Sequence, residues 1–195
     1  MENKFIAIEG IDGAGKATQV REIKKYLEGK GKKVFVHKYP TENAGKIKDY
    51  LEGKEEFGEE ELFELYLKDI ADEQGELKGN LENGWVIADR YCISTAAYQG
   101  VGGKLGERVL EIEGRNLIKP DLVIWLDLSA EEGMERKRGQ KKLDKHEGNL
   151  RFLRNVRENF RKLYGMKFMC EKWEKIDAAK DPGEVTRDIE KIVGV

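Results

Sequence analysis

Phe5-Ile6-Ala7-Ile8-Glu9-Gly10-Ile11-Asp12-Gly13-Ala14-Gly15-Lys16-Ala17-Thr18 is the stretch that decides the fold. Five residues, apolar but for the last, end in a carboxylate, and three glycines surround an aspartate before a lysine opens a helix-forming run. The spacing is that of a P-loop, set where one belongs, between a strand and the start of a helix. Each residue type has a reason. Glycines let the backbone turn tightly and aim its N–H groups at phosphate oxygens. The following helix adds the positive end of its dipole, and Lys16 supplies a mobile cation. Gly10, Ile11, Asp12, Gly13, Ala14, Gly15, Lys16, Ala17 and Thr18 are therefore the expected ATP-binding residues. One position departs from the pattern. The residue after the lysine usually carries a Mg²⁺-binding hydroxyl, and here it is Ala17. Thr18 stands about 100° further round the helix. A water is expected in the vacant coordination place, since Mg²⁺ commonly keeps several.

Outward from this loop, short apolar runs alternate with long charged stretches, the pattern of an α/β fold with a parallel sheet. The expected strands are Phe5 to Glu9, Lys33 to Tyr39, Trp85 to Asp89, Leu122 to Asp127 and Trp173 to Asp177. Helices are expected at Lys16 to Lys30, Glu59 to about Leu77, Thr95 to Gly100, Glu107 to Leu117, Ala130 to Arg138, Asn149 to Lys172 and Pro182 to Val193. Together they predict a doubly wound, parallel five-stranded sheet flanked by helices, with ligands at the carboxyl ends of the strands. With 195 residues and no internal repeat or low-complexity linker, the chain reads as one domain, 1–195, with a basic, glycine-marked lid at about 137–148.

Composition narrows the function. Charged residues are abundant, but 36 Lys and Arg against 38 Asp and Glu leave a net charge of −2, which argues against a nucleic-acid surface. No apolar run approaches the roughly 20 residues of a membrane span. Cys92 and Cys170 lie far apart without metal-ligand spacing, as do His37 and His146, and a reducing cytoplasm is the expected setting.

A second motif faces the first. The strand ending at Asp89 delivers Asp89-Arg90-Tyr91, then Ser94 and Ala97-Tyr98-Gln99-Gly100. An Asp-Arg pair at a strand's carboxyl end lies at the ligand edge of the sheet. Arg90 suits a bidentate phosphate grip, and Asp89 suits Mg²⁺ or its waters.

With Tyr39-Pro40-Thr41, Lys119-Pro120-Asp121 and the lid segment Asp144-Lys145-His146-Glu147 with Arg154, Arg157 and Glu158, these blocks resemble the thymidylate kinase family over nearly the whole chain, in order. The resemblance implies phosphorylation of dTMP to dTDP with ATP and Mg²⁺, and a homodimer. It also implies roles. Asp12 stands where the family keeps a carboxylate near the acceptor sugar and phosphate, and with Asp89 it is the expected metal carboxylate. Arg90 resembles the arginine that grips the monophosphate, and Tyr66 the aromatic that stacks on the base. Tyr39, Pro40, Ile70, Ser94, Tyr98 and Gln99 complete the acceptor side. Gly13 goes with a lid that supplies the cations, from among Arg136, Arg138, Lys141, Lys142 and Lys145; Arg136 and Arg138 join Lys16, Asp12, Asp89 and Arg90 as the expected catalytic set.

Three departures from the family stand out. Ile70 occupies the place of an arginine that reads the thymine edge, leaving that task to another residue, with Gln74 the candidate on the same helix face. Lys145 stands for an arginine. The Tyr39-Pro40-Thr41 loop has no arginine, which leaves Lys38 or Lys46 for that phosphate contact. Two rival readings follow: a kinase for another nucleoside monophosphate such as dUMP or dCMP, and a nucleotide-binding protein with weakened catalysis.

Overall fold

The computed structural model describes residues 3–138 and 149–194. Five strands, β1 (Phe5–Glu9), β2 (Val34–Lys38), β3 (Trp85–Asp89), β4 (Leu122–Asp127) and β5 (Trp173–Asp177), form one sheet in the order β2-β3-β1-β4-β5, every neighbouring pair parallel. Central β1, β3 and β4 are buried along essentially their whole length, whereas edge strands β2 and β5 bury only some of their residues. That difference is what the continuous apolar runs of the three central strands require, since helices cover both of their faces.

The helices are α1 (Lys16–Gly29), α2 (Gly45–Leu51), α3 (Glu59–Asp72), α4 (Gln74–Asn83), α5 (Cys92–Gln99), α6 (Leu105–Glu113), α7 (Ala130–Arg138), α8 (Leu150–Gly165) and α9 (Pro182–Val193). The sheet is doubly wound: the order reverses on either side of β1, and the crevice at that switch point lies at the carboxyl ends of β1 and β3. Register aligns those ends, pairing Ile8 with Asp89 and Asp89 with Lys38, so the start of the P-loop, the Asp89-Arg90 pair and Lys38 share one edge.

Several helix bounds differ from the sequence reading. The run expected from Glu59 to Leu77 is interrupted at Glu73, which ends α3 and caps α4. There the Glu73 carboxylate faces the buried His37 of β2 at 3.5 Å, and the Gln74 side chain turns back to the Ile70 carbonyl at 2.9 Å. The apolar stripe continues across the break, because Leu77 on α4 is fully buried. Helix α8 stops at Gly165, not Lys172. Lys167 and Met169 adopt positive φ, and the chain folds back so that Phe168, Met169 and Cys170 join the core, with Trp173 donating to the Phe168 carbonyl. Helix α5 begins three residues earlier than expected and α6 spans Leu105–Glu113, ending before Gly114 instead of at Leu117. The short α2 was absent from the sequence reading. No helix among the described residues is long and apolar enough to cross a membrane.

Candidate active site

The loop between β1 and α1 is shaped by glycine. Gly10, Gly13 and Gly15 all hold positive φ, at 147°, 81° and 87°. Gly13 also lies against α7: a Cβ there would stand 2.4 Å from the Gly133 carbonyl oxygen. Helix α1 then starts with no side-chain cap and no acidic residue in its first turn. Its leading N–H groups are thus left for a ligand, and an anion fits them best. Lys16, buried at 7% exposure, folds back over its own loop, with Nζ donating to the carbonyls of Gly10 at 3.0 Å and Ile11 at 2.8 Å. Burial, then the positive charge of Arg90, pulls the Lys16 ammonium down to about 8, against the attraction of Asp12, Asp89 and Glu9.

Arg90 arrives from the opposite side. It follows β3 at a φ of 70°, unusual for a residue with a side chain. Its Nη2 pairs with Asp12 Oδ1, its Nη1 reaches the Gly10 carbonyl at 3.4 Å and Ser94 Oγ at 3.3 Å, and its guanidinium lies over the Tyr98 ring, 5.2 Å from the centroid. The Tyr98 hydroxyl donates to Asp12 Oδ2 at 2.7 Å and accepts from the Asp12 amide at 3.1 Å. Burial would raise the Asp12 carboxyl, but Arg90 and Lys16 outweigh it and hold it down at about 2.

Beneath this pair lies a carboxylate absent from the site residues expected from the sequence. Glu9, the last residue of β1, is fully buried. It accepts the Tyr91 amide at 2.8 Å and the Ser94 hydroxyl. Burial pushes its carboxyl up, and Ser94, Arg90, Lys16 and the Tyr91 amide only partly offset this, leaving it at about 7.

Above Glu9, which does not line it, opens a cleft of about 560 Å³ that brings both motifs together. Of the expected residues, Asp12, Gly13, Gly15, Lys16, Ala17 and Thr18 line it, as do Asp89, Arg90, Ser94, Tyr98, Gln99, Tyr39, Pro40, Tyr66, Ile70 and Arg136. Gly10, Ile11 and Ala14 do not; the first two act through the carbonyls that hold Lys16. Arg136 spans the cleft wall, donating to the Gly13 carbonyl at 3.4 Å and the Ala178 carbonyl at 2.9 Å, whereas Arg138, one turn's fraction further, is not a lining residue. Lys141, Lys142 and Lys145, with the Asp144 to Glu147 segment, lie outside the described residues.

Two expectations need correction and a third is narrowed. Gln74 does not face the cleft: its Nε2 donates to the Ile70 carbonyl and the Tyr91 hydroxyl, and its Oε1 accepts the Ile118 amide at 2.8 Å. With its amide so occupied, it ties α3 to the segment before β4 and does not read a base. Of the lysines set against the missing loop arginine, Lys38 lines the cleft and Lys46 does not; Lys48, two residues further along α2, does. Asp12 is a poor metal ligand here, because Arg90 and Tyr98 hold both of its oxygens. Asp89, 7% exposed at the carboxyl end of β3, is the cleft carboxylate that fits a hard cation. One carboxylate beside nucleotide phosphates is the donor set Mg²⁺ ordinarily accepts, the rest of its shell being water. The Ala17 methyl adds no oxygen to it.

A glycine cradle, an uncapped helix start and a buried lysine, facing an arginine across one cleft, define a P-loop phosphotransferase. The chain matches the thymidylate kinase family over residues 8–189. It is 37% identical over 193 residues to a probable thymidylate kinase of Archaeoglobus fulgidus, covering 97% of this chain and 94% of that one. It is 36% identical over 200 residues to a thymidylate kinase of Carboxydothermus hydrogenoformans, covering 97% and 96%. A probable thymidylate kinase of Thermococcus gammatolerans is 37% identical over 175 residues, covering 83% of each. The chain belongs to the thymidylate kinase family and is a nucleoside monophosphate kinase. The match does not favour the two rival readings.

Proposed function

We propose that the chain transfers the terminal phosphoryl group of ATP to the phosphate of dTMP, giving ADP and dTDP. The observation that carries this is a convergence of cations. Lys16 Nζ and Arg90 Nη1, from opposite sides of the cleft, both donate to the single carbonyl oxygen of Gly10, at 3.0 and 3.4 Å. A buried ammonium and a half-buried guanidinium aimed at one neutral acceptor support phosphate oxygens binding there, since anionic oxygens are stronger acceptors than the carbonyl they would displace.

In this reading the ATP phosphates lie on the 10–16 loop and the N–H groups of α1, with Lys16 on the outer phosphates. Arg90 grips the acceptor monophosphate, and Asp12, braced by Tyr98, fixes the guanidinium plane. The base lies in the apolar end of the cleft, against Tyr66 and Ile70, with Tyr39 and Pro40 closing it. The acceptor is already an anion at neutral pH, so no general base is required. Transfer rests on alignment and charge neutralisation. Mg²⁺, which Asp89 would help hold, supplies further positive charge to the phosphates when bound. Arg136 stands on the P-loop side as a further cation. One kinase domain, from length and the lack of a linker, a cytoplasmic setting, from the sparse unpaired cysteines, and a homodimer, from family resemblance, complete the reading.

Lys16→Ala is the test, read as ADP release from ATP with dTMP as acceptor. Turnover should fall by roughly 10³-fold while the melting temperature is retained. Near-native turnover in a folded variant would overturn the assignment.

A further inference from the structure

We propose that Glu9 is a positioning residue for Arg90. It holds the arginine in its cleft-facing geometry through the Tyr91 amide and the Ser94 hydroxyl. The inference rests on the reading that Arg90 grips the acceptor monophosphate, and it adds a group that touches neither nucleotide.

The argument begins with the backbone. Arg90 leaves β3 with φ at 70°, a conformation that costs a residue bearing a Cβ of order 1–3 kcal/mol and persists only where its surroundings enforce it. Two consecutive residues of β1 supply that enforcement. The Ile8 carbonyl accepts the Arg90 amide at 3.0 Å, the last bond of the sheet ladder. Beyond it the chain turns away, and the Glu9 side chain takes the next amide, that of Tyr91, at 2.8 Å. The peptide groups on both sides of the strained residue are thus fixed to one strand.

The side chain is held by the same carboxylate. Glu9 accepts the Ser94 hydroxyl, so the Ser94 lone pairs point outward, and one of them accepts Arg90 Nη1 at 3.3 Å. Ser94 lies four residues after Arg90, one turn along α5. Without a carboxylate behind it, the hydroxyl is free to rotate its proton toward the guanidinium and oppose it. A fully buried carboxylate is expensive to keep. An apolar residue at the end of β1 would leave the Tyr91 amide and the Ser94 hydroxyl unpaired, and Arg90 held on one side only.

The same arrangement explains why Glu9 precedes the P-loop directly. From this place a single side chain links the loop that binds the donor to the turn that binds the acceptor. Glu9 sets Arg90 from below, while Asp12, three residues on, sets it from the cleft side.

The test is calorimetric binding of dTMP and of ATP, measured separately on the full chain, for Glu9→Gln, Ser94→Ala, Arg90→Lys and their pairs. Glu9→Gln should weaken dTMP roughly tenfold and leave ATP affinity within about twofold, with the melting temperature within a few degrees of native. In the Ser94→Ala and Arg90→Lys backgrounds the Glu9→Gln effect should disappear, because the three residues act as one unit. Additive effects, equal weakening of both nucleotides, or native dTMP affinity in a folded Glu9→Gln would each overturn the inference. Should Glu9→Gln fail to fold, Ser94→Ala carries the test, since it breaks the relay yet leaves the Tyr91 amide bonded; its dTMP defect must then vanish in Arg90→Lys. If Arg90→Lys itself binds dTMP as the native chain does, the acceptor role of Arg90 falls, and this inference falls with it. If Arg90→Lys weakens dTMP while Glu9→Gln and Ser94→Ala do not, only the role of Glu9 is refuted.

Discussion

The tightest constraint on the site is a contact between two glycines, and Gly133→Ala tests it. Gly133 lies on α7, and a Cβ built there would meet the Asp12 carbonyl oxygen at 2.7 Å and Ile11 Cδ1 at 3.1 Å. Two effects oppose each other. Alanine is preferred over glycine within a helix by about 1 kcal/mol. The new methyl, however, sits inside contact distance of a backbone oxygen that cannot rotate away, so helix and loop must separate by roughly 0.5 Å; overpacking of this kind costs about 1–3 kcal/mol. The net change in stability is then a loss of about 0–2 kcal/mol, or a few degrees in melting temperature. Activity should respond far more. The displaced peptide is that of Asp12, whose carboxylate holds Arg90 and accepts from Tyr98. A misplacement of about 1 Å costs on the order of 10² in rate, so half of that predicts roughly a tenfold fall in kcat/KM for dTMP. Coupled ADP-release kinetics beside a thermal melt make the measurement. A variant with raised melting temperature and native kcat/KM would mean that helix propensity alone governs position 133, and the reasoning from loop-to-helix contact would be refuted.

Other consequences follow from the buried polar groups. Glu9 should make stability fall with pH. Its folded value of about 7 exceeds the ordinary 4.5, so the folded state binds the proton more tightly. The stabilisation is complete below pH about 4.5 and lost as pH rises through about 7, a total of roughly 3 kcal/mol. Urea unfolding at pH 5 and pH 7.5 should show this decline in the native chain and its absence in Glu9→Gln; parallel profiles would rule it out. Asp12 acts at the acid end with the opposite sign, its held-down carboxyl contributing stability above about 3.8 that is lost as pH falls toward 2. Gln74→Ala should cost about 1–3 kcal/mol by stranding the Ile118 amide, the Tyr91 hydroxyl keeping its bond to the Ile118 carbonyl, with ATP affinity untouched; a stability loss under a few tenths of a kcal/mol in chemical denaturation would show that water replaces the amide.

Much of the fold was legible because its signals are local. Strands β1, β3 and β4 carry their limits in apolar runs bounded by charge or glycine, β5 shows only two apolar residues, Trp173 and Ile176, among charges, and the expected limits of all four match the structure residue for residue. Helix ends were less legible, since tertiary partners decide them. Nothing in the spacing of Leu62, Tyr66 and Ile70 announces that Glu73 will interrupt the helix to face a histidine on β2. Asn149 to Lys172 reads as helical throughout, yet the burial of Phe168 and Met169 is gained only by turning back after Gly165. Short α2 has too few residues to show a periodicity at all.

The site divides along the same line. Lys16, Asp12 and Arg90 were legible because phosphate chemistry restricts residue type at fixed spacing, and the structure brings all three to one cleft. Gln74 was misread for the converse reason. The four-residue spacing from Ile70 correctly puts both on adjacent turns, but spacing cannot reveal that the Ile118 amide and the Tyr91 hydroxyl, 44 and 17 residues away, claim the side chain first. Glu9 shows the limit most sharply. In the sequence it is one acidic residue ending an apolar strand, and its partners Tyr91 and Ser94 lie 82 and 85 residues on. Its signal was present all the same: a carboxylate that ends a central parallel strand, where both faces are covered, must be buried, and a buried carboxylate must have donors. Those donors come from the turn leaving the adjacent strand β3, which is the turn that carries Arg90.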